Sequence, residues 1–175
     1  MRIIWNFEAE FDQIYEESMK LDWSNTTNIV EVNKTSKLSN KKLEIFYGRL
    51  QSQKGTTDYD NQVMGLIIEN NKVEGLVYLS NYLHICLGAR FLTLSEITLF
   101  DPKKILNILP FVFRKVHVDL AKKYLIHIFM VIIPEQESSF KDLYLETSEK
   151  FGLEDYSYRV LSQSKPYHID ANEKL

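Results

Sequence analysis

Glycine is scarce in this chain, with six in 175 residues, roughly half of average usage. A phosphate-cradling glycine loop is therefore not expected over most of its length. Cysteine is scarcer still: Cys86 is alone, which excludes an intrachain disulfide or a thiolate pair on a metal and fits a reducing, cytoplasmic setting. Long apolar runs are missing too. The longest, Leu125 to Pro134, is interrupted by His127 and falls far short of the roughly 18 residues that a membrane helix needs. The first residues, MRIIWNFEAEF, hold one Arg and then acids, and read as neither a secretory signal nor a transit peptide. An excess of one charge is also absent, since 21 Lys plus Arg stand against 24 Asp plus Glu. That balance argues against nucleic acid or an anionic membrane as the main partner.

What the chain does hold is apolar and aromatic: 45% hydrophobic residues, with ten Phe and ten Tyr. Such a composition excludes disorder and supplies a core. With no Pro- or Ser-rich linker and no internal repeat, residues 1–175 read as a single domain.

Arg2 to Phe7 read as a strand, and Phe11, Ile14, Tyr15, Met19 and Leu21 recur at helical spacing. Asp22 to Thr35 is polar and carries no assignable period. A second helix follows from Lys37, with Leu43, Phe46, Tyr47 and Leu50 on one face, closed by Lys54-Gly55-Thr56-Thr57-Asp58. Gln62 to Glu69 and Lys72 to Leu83 form a predicted hairpin around Asn70-Asn71, residues that tolerate the positive φ of a tight turn. Phe91 to Phe100, FLTLSEITLF, is a third strand. Asp101-Pro102 then signals a helix start, and Leu106, Leu109, Phe113, Val116, Leu120 and Tyr124 form its stripe. Leu125 to Pro134 suits a strand covered on both faces. Ser138 to Phe151 reads as a last helix ended by Gly152, and Tyr156 to Ser162 as a last strand. The predicted order is βαα-βββ-αβ-αβ.

That order, with LSEITLFDP, a helix, a buried strand and then KFGLEDYSYRV, resembles the GNAT superfamily of acyl-CoA-dependent N-acetyltransferases over nearly the whole chain. Phe100-Asp101-Pro102, Leu120-Ala121-Lys122-Lys123 and Gly152-Leu153 ahead of Glu154-Asp155-Tyr156 stand where family members show similar steps. The resemblance implies an α/β fold with a mixed, mostly antiparallel sheet flanked by helices. It also implies acetyl-CoA as cofactor and an amine on a small molecule or protein as acceptor.

In the family, R/Q-x-x-G-x-G/A opens the helix so that free N–H groups and the positive helix end hold the CoA pyrophosphate. Placed between Asp101-Pro102 and Leu120-Lys123, its Arg falls on Ile105 and its glycines on Ile108 and Pro110. A β-branched side chain thus stands where backbone should approach phosphate, and Pro110 has no N–H to donate. The cofactor segment implied by the resemblance is Phe100, Lys103, Lys104, Ile105, Leu106, Ile108 and Leu109, with Lys103 and Lys104 as the available charge. Both lysines also read as solvated first-turn residues.

Aminolysis of a thioester needs a base for the ammonium and an acid for the thiolate. The resemblance places Glu96 as the base on the strand before the cofactor loop; an ordinary polar position on the exposed alternation is its structural alternative. The family's acid, a Tyr about four residues before the late Gly, falls on Ser148, and Tyr144 lies one helical turn earlier on the same face. His84, His117, His127 and His168 are dispersed and offer no zinc spacing, and neither G-x-S-x-G nor a Walker lysine is present.

Two functions follow. One is an N-acyltransferase using acyl-CoA through a non-standard loop. The other is a non-catalytic protein of the same fold that binds a protein or small ligand through the cleft, or forms a homodimer.

Overall fold

The computed structural model describes residues 1–31, 38–53, 61–84, 86, 88–120, 123–124, 128–134 and 159–161. Along the chain come β1 (Arg2–Trp5), α1 (Phe11–Ser18), β2 (Thr27–Glu31), α2 (Asn40–Ser52), β3 (Asn61–Glu69) and β4 (Lys72–His84). Then follow β5 (Ala89–Leu99), α3 (Ile105–Lys115), β6 (Ile128–Pro134) and β7 (Arg159–Leu161). The sheet order is β1-β3-β4-β5-β6-β7, with β2 also paired to β5. Strands β1 to β5 join in antiparallel pairs, whereas β5–β6 and β6–β7 are parallel. This is the mixed, mostly antiparallel α/β architecture expected from the sequence. No helix among the described residues is long and apolar enough to cross a membrane.

The predicted meander is present. Asn70 and Asn71 sit at φ 50° and 59°, the left-handed values that a two-residue hairpin turn demands. In β5 the alternation breaks at Ser95: Leu79 faces Leu94, but Tyr78 faces Glu96, so Ser95 is an extra residue. Such a bulge re-aims the side chains beyond it. Here it keeps Leu92, Leu94, Ile97 and Leu99 on the face covered by α3.

The sheet has a core on each face. α3 buries Ile105, Ile108, Leu109, Val112 and Phe113 against Val77, Leu79, Leu94 and Ile97. On the other face Phe11, Tyr15, Leu43, Phe46 and Leu50 cover Met64, Leu66, Leu76 and Tyr78. Each fully buried side chain of this kind contributes about 1.5–3 kcal/mol.

The sequence-based order lacked one strand. β2 lies between α1 and α2, within the stretch that showed no period, and pairs with β5 about 70 residues further on. Of the last expected strand, Tyr156 to Ser162, the described residues are β7, Arg159–Leu161. The expected helix Ser138 to Phe151 lies outside the described residues.

Candidate functional site

Parallel strands joined by a crossover helix leave a crevice at their carboxyl ends, where α/β proteins bind ligands. β5 and β6, joined through α3, are such a pair. They are in register only from Phe91–Ile128 to Leu94–Val131, after which β6 continues beside β7 over Ile132–Pro134. The β5 edge beyond Leu94 is thereby released by β6, and β2 takes it. Thr27 faces Leu99, Asn28 faces Thr98, Val30 faces Ile97 and Glu31 faces Glu96, with the register shifted around Ile29. Ile29 is buried in the α3-side core, and β2 also runs alongside β6. The fork is filled by the chain itself.

A turn built from polar residues delivers β2 to that place. The Asp22 carboxylate accepts from the Ser24 N–H and hydroxyl and from the Asn25 amide. The two hydrogen bonds from Ser24, and after them the one from the Asn25 amide, hold the carboxyl of this exposed Asp22 below the usual aspartate value. Trp23, fully buried, donates its indole N–H to the Ser18 carbonyl at the end of α1, 2.9 Å away. The Asn40 side chain at the start of α2 accepts from the Trp23 N–H and donates to the Met19 and Leu21 carbonyls. Both helices therefore fix the chain just before Thr26 and β2.

Glu96 stands at the inner end of this pairing. Sequence alternation allowed it to be an exposed polar residue, but it is 3% exposed. Its Oε1 accepts from the Thr98 hydroxyl at 2.7 Å, and its Oε2 lies 3.3 Å from Lys42 Nζ on α2. The Thr98 hydroxyl has one proton to give, and the Asn28 side-chain oxygen, close on its other side, competes with Glu96 for it. A polar chain, Asn28–Thr98–Glu96–Lys42, thus ties β2, β5 and α2 together.

Tyr78, across from Glu96 on β4, is 4% exposed, and its hydroxyl has no well-aligned hydrogen-bond partner. Burial pushes its pKa up to about 12, outweighing the opposing pull of the Arg49 guanidinium.

At the start of α3 the donors are already engaged. The Asp101 side chain accepts from the Lys103 N–H, the Asp101 carbonyl from Lys104 N–H, and the Pro102 carbonyl from Ile105 N–H. Lys104 Nζ sits 2.8 Å from Glu69 and 2.9 Å from Glu74. Its hydrogen bonds to Glu69 and Glu74 raise its pKa, and the same lysine's hydrogen bond and charge lower that of Glu69. Ile105, Ile108 and Leu109 point into the core, Leu106 is exposed, and Phe100 packs its ring 5.0 Å from Trp23. The structure thus gathers Glu96 and Phe100 around the β2 seat and turns Ile105, Ile108 and Leu109 inward. Tyr144 and Ser148 lie outside the described residues.

Asn28, Lys42 and Thr98 were not found from the sequence. Asp22-Trp23-Ser24-Asn25 carried one usable signal, the Asp/Ser/Asn cluster of a side-chain-capped turn. Among the described residues no group of three or more His, Cys, Asp or Glu could hold a metal ion.

No protein-family model matches the chain, and no curated protein matches it in sequence. A solved structure described as "Crystal structure of a probable acetyltransferase" matches with a TM-score of 0.59 at 12% identity, covering 97% of each chain. The two chains share a fold.

Proposed function

We propose that this chain is a non-catalytic binding or regulatory protein of acetyltransferase-like fold, which keeps the β5–β6 fork filled with its own strand. The observation that carries this reading is the seat of β2 on Glu96–Leu99. Three further features support it. The N–H groups of Lys103, Lys104 and Ile105 are taken, so few donors remain for a pyrophosphate at this helix end. Lys104, the nearest charge, is held between two carboxylates. Glu96 faces an ammonium and accepts from Thr98, and a general base must instead have a lone pair aimed at the proton it removes. In this conformation the residues present do not fit acetyl-CoA in the fork.

A second reading, an N-acyltransferase acting on an amine, is favoured by the acetyltransferase description of the structural neighbour. Melting curves with millimolar acetyl-CoA separate the two. A ligand at about 100 times its Kd stabilises by about 2.7 kcal/mol, which is a shift of several degrees for a domain of this size. The proposed function gives an unchanged Tm; a shift of that size overturns it in favour of the enzyme.

A further inference from the structure

We propose that β2 is a strap, latched in the fork by the Asn28–Thr98–Glu96–Lys42 chain, and that releasing this latch opens the fork. The inference rests on the reading above, in which β2 closes the site.

The pairing has the form of a detachable element. β2 is five residues long, its register slips around Ile29, and it leans on the central sheet from the side. The sheet keeps its other pairings without it, because β4 pairs with the whole of β5 on the opposite edge; Ile29 of the strap enters the core that α3 covers and leaves it when β2 opens. A short strand joined at one edge opens at lower free energy than the sheet it rests on. The chain before β2 is held differently. Trp23 is buried and pinned to the ends of both α1 and α2, so Thr26 is the natural pivot for β2.

The latch also has a definite inside and outside. Lys42 on α2 and Glu96 on β5 stay with the body when β2 leaves; only Asn28 belongs to the strap. Departure of β2 would bare the backbone N–H and C=O groups of β5 from Glu96 to Leu99, a row that pairs with any extended chain bearing amides. Acetyl-CoA, whose arm carries two amide groups, is therefore a suitable probe.

Asn28→Ala removes the strap's side of the latch, and Thr98→Val removes the body's side with little change of shape. Amide exchange followed by mass spectrometry is expected to speed up at Thr27–Glu31 and Glu96–Leu99, on the order of tenfold for one lost hydrogen bond. β3 should keep wild-type protection. Calorimetry with millimolar acetyl-CoA should then show saturable binding to Asn28→Ala and none to wild type. Exchange that rises nowhere, or rises equally throughout the sheet, overturns the strap. Local opening without acetyl-CoA uptake overturns its role as a gate. Binding of acetyl-CoA by wild type defeats the proposed function instead; the strap survives that result if binding speeds exchange in β2, and falls if β2 stays protected. Asn28 is partly exposed, so its variant folds and reports even where Thr98→Val does not.

Discussion

Glu96 on β5 and Lys42 on α2 form an ion pair across the sheet–helix boundary, with the carboxylate side chain 4% exposed and the lysine 21%. The asymmetry sets the cost of breaking it. Removing one partner of a buried pair is strongly destabilising because the other charge is left behind in a poor solvent.

Lys42→Met strands a buried carboxylate and should cost about 3 kcal/mol. Glu96→Gln strands only a lysine that can turn toward water, and should cost about 1 kcal/mol. Denaturant titrations of both variants check the order. Equal losses would mean that the pair is solvated like a surface bridge.

The Lys104 cluster should show itself through pH. The Glu69 pKa is lowered in the folded state, so its contribution is present above the ordinary glutamate value of 4.5 and is lost as pH falls through the lower folded value. The Tm gap between wild type and Lys104→Met is therefore expected to be open at pH 7 and to close in acid. High salt should narrow it as well, because the groups are partly open to water. A gap independent of pH would assign the effect to packing of the lysine stem.

Tyr78→Phe tests the buried hydroxyl, which has no well-aligned partner and only the pull of the Arg49 guanidinium. Taking away a buried polar group so poorly paired should be neutral or stabilising by about 1 kcal/mol. Tyr78 and Tyr15 are both raised to about 12 by burial. Their neutral forms hold full stability below the unfolded value of 10, and that stability is lost as pH rises toward 12. Thermal melts between pH 9 and 12 should show a shallower alkaline decline for Tyr78→Phe than for wild type.

Gly75→Ala should destabilise by about 1–3 kcal/mol. A Cβ at Gly75 would strike the Thr98 carbonyl and crowd the Leu99 backbone, and neither backbone group can swing aside. The collision falls on the segment that seats β2, so amide exchange in β2 should rise together with the loss of stability.

Restoring a glycine loop should fail in a specific way. Ile108 is 1% exposed, and Ile108→Gly loses its burial, leaves a cavity and frees the helix backbone, for roughly 3–5 kcal/mol. Adding Ile105→Arg and Pro110→Gly should not create acetyl-CoA affinity while β2 fills the fork. A folded triple variant that binds acetyl-CoA would show that the α3 start, and not β2, limits access.

The parts of this fold legible in the sequence were those with local cause. The meander has alternating strands and an Asn-Asn turn and is found where expected. α3 follows Asp101-Pro102 as expected, but its buried face is Ile105, Ile108, Leu109, Val112 and Phe113, whereas Leu106, expected on the stripe, is exposed. β2 was hidden because Thr-Asn-Ile-Val-Glu has too few residues to show a period, and its partner is 70 residues away. Glu96 was recognised as a residue of interest, but its burial was not. Its neighbours in the sequence alternate as a half-exposed strand does, and its cover comes from Lys42 and β2, elements that no local pattern connects to it.

The position of β2 in the chain bears on how the protein is made. A nascent β5 rich in β-branched and aromatic residues is a hazard while its edge is bare, because unpaired edges recruit other chains. β6 cannot protect it at once, since it leaves the ribosome later. β2 is already synthesised when Glu96–Leu99 emerge, and pairs with them. Whatever else the filled fork does, it lets the newborn sheet shield the carboxyl-terminal half of its last antiparallel strand before the parallel half of the fold exists.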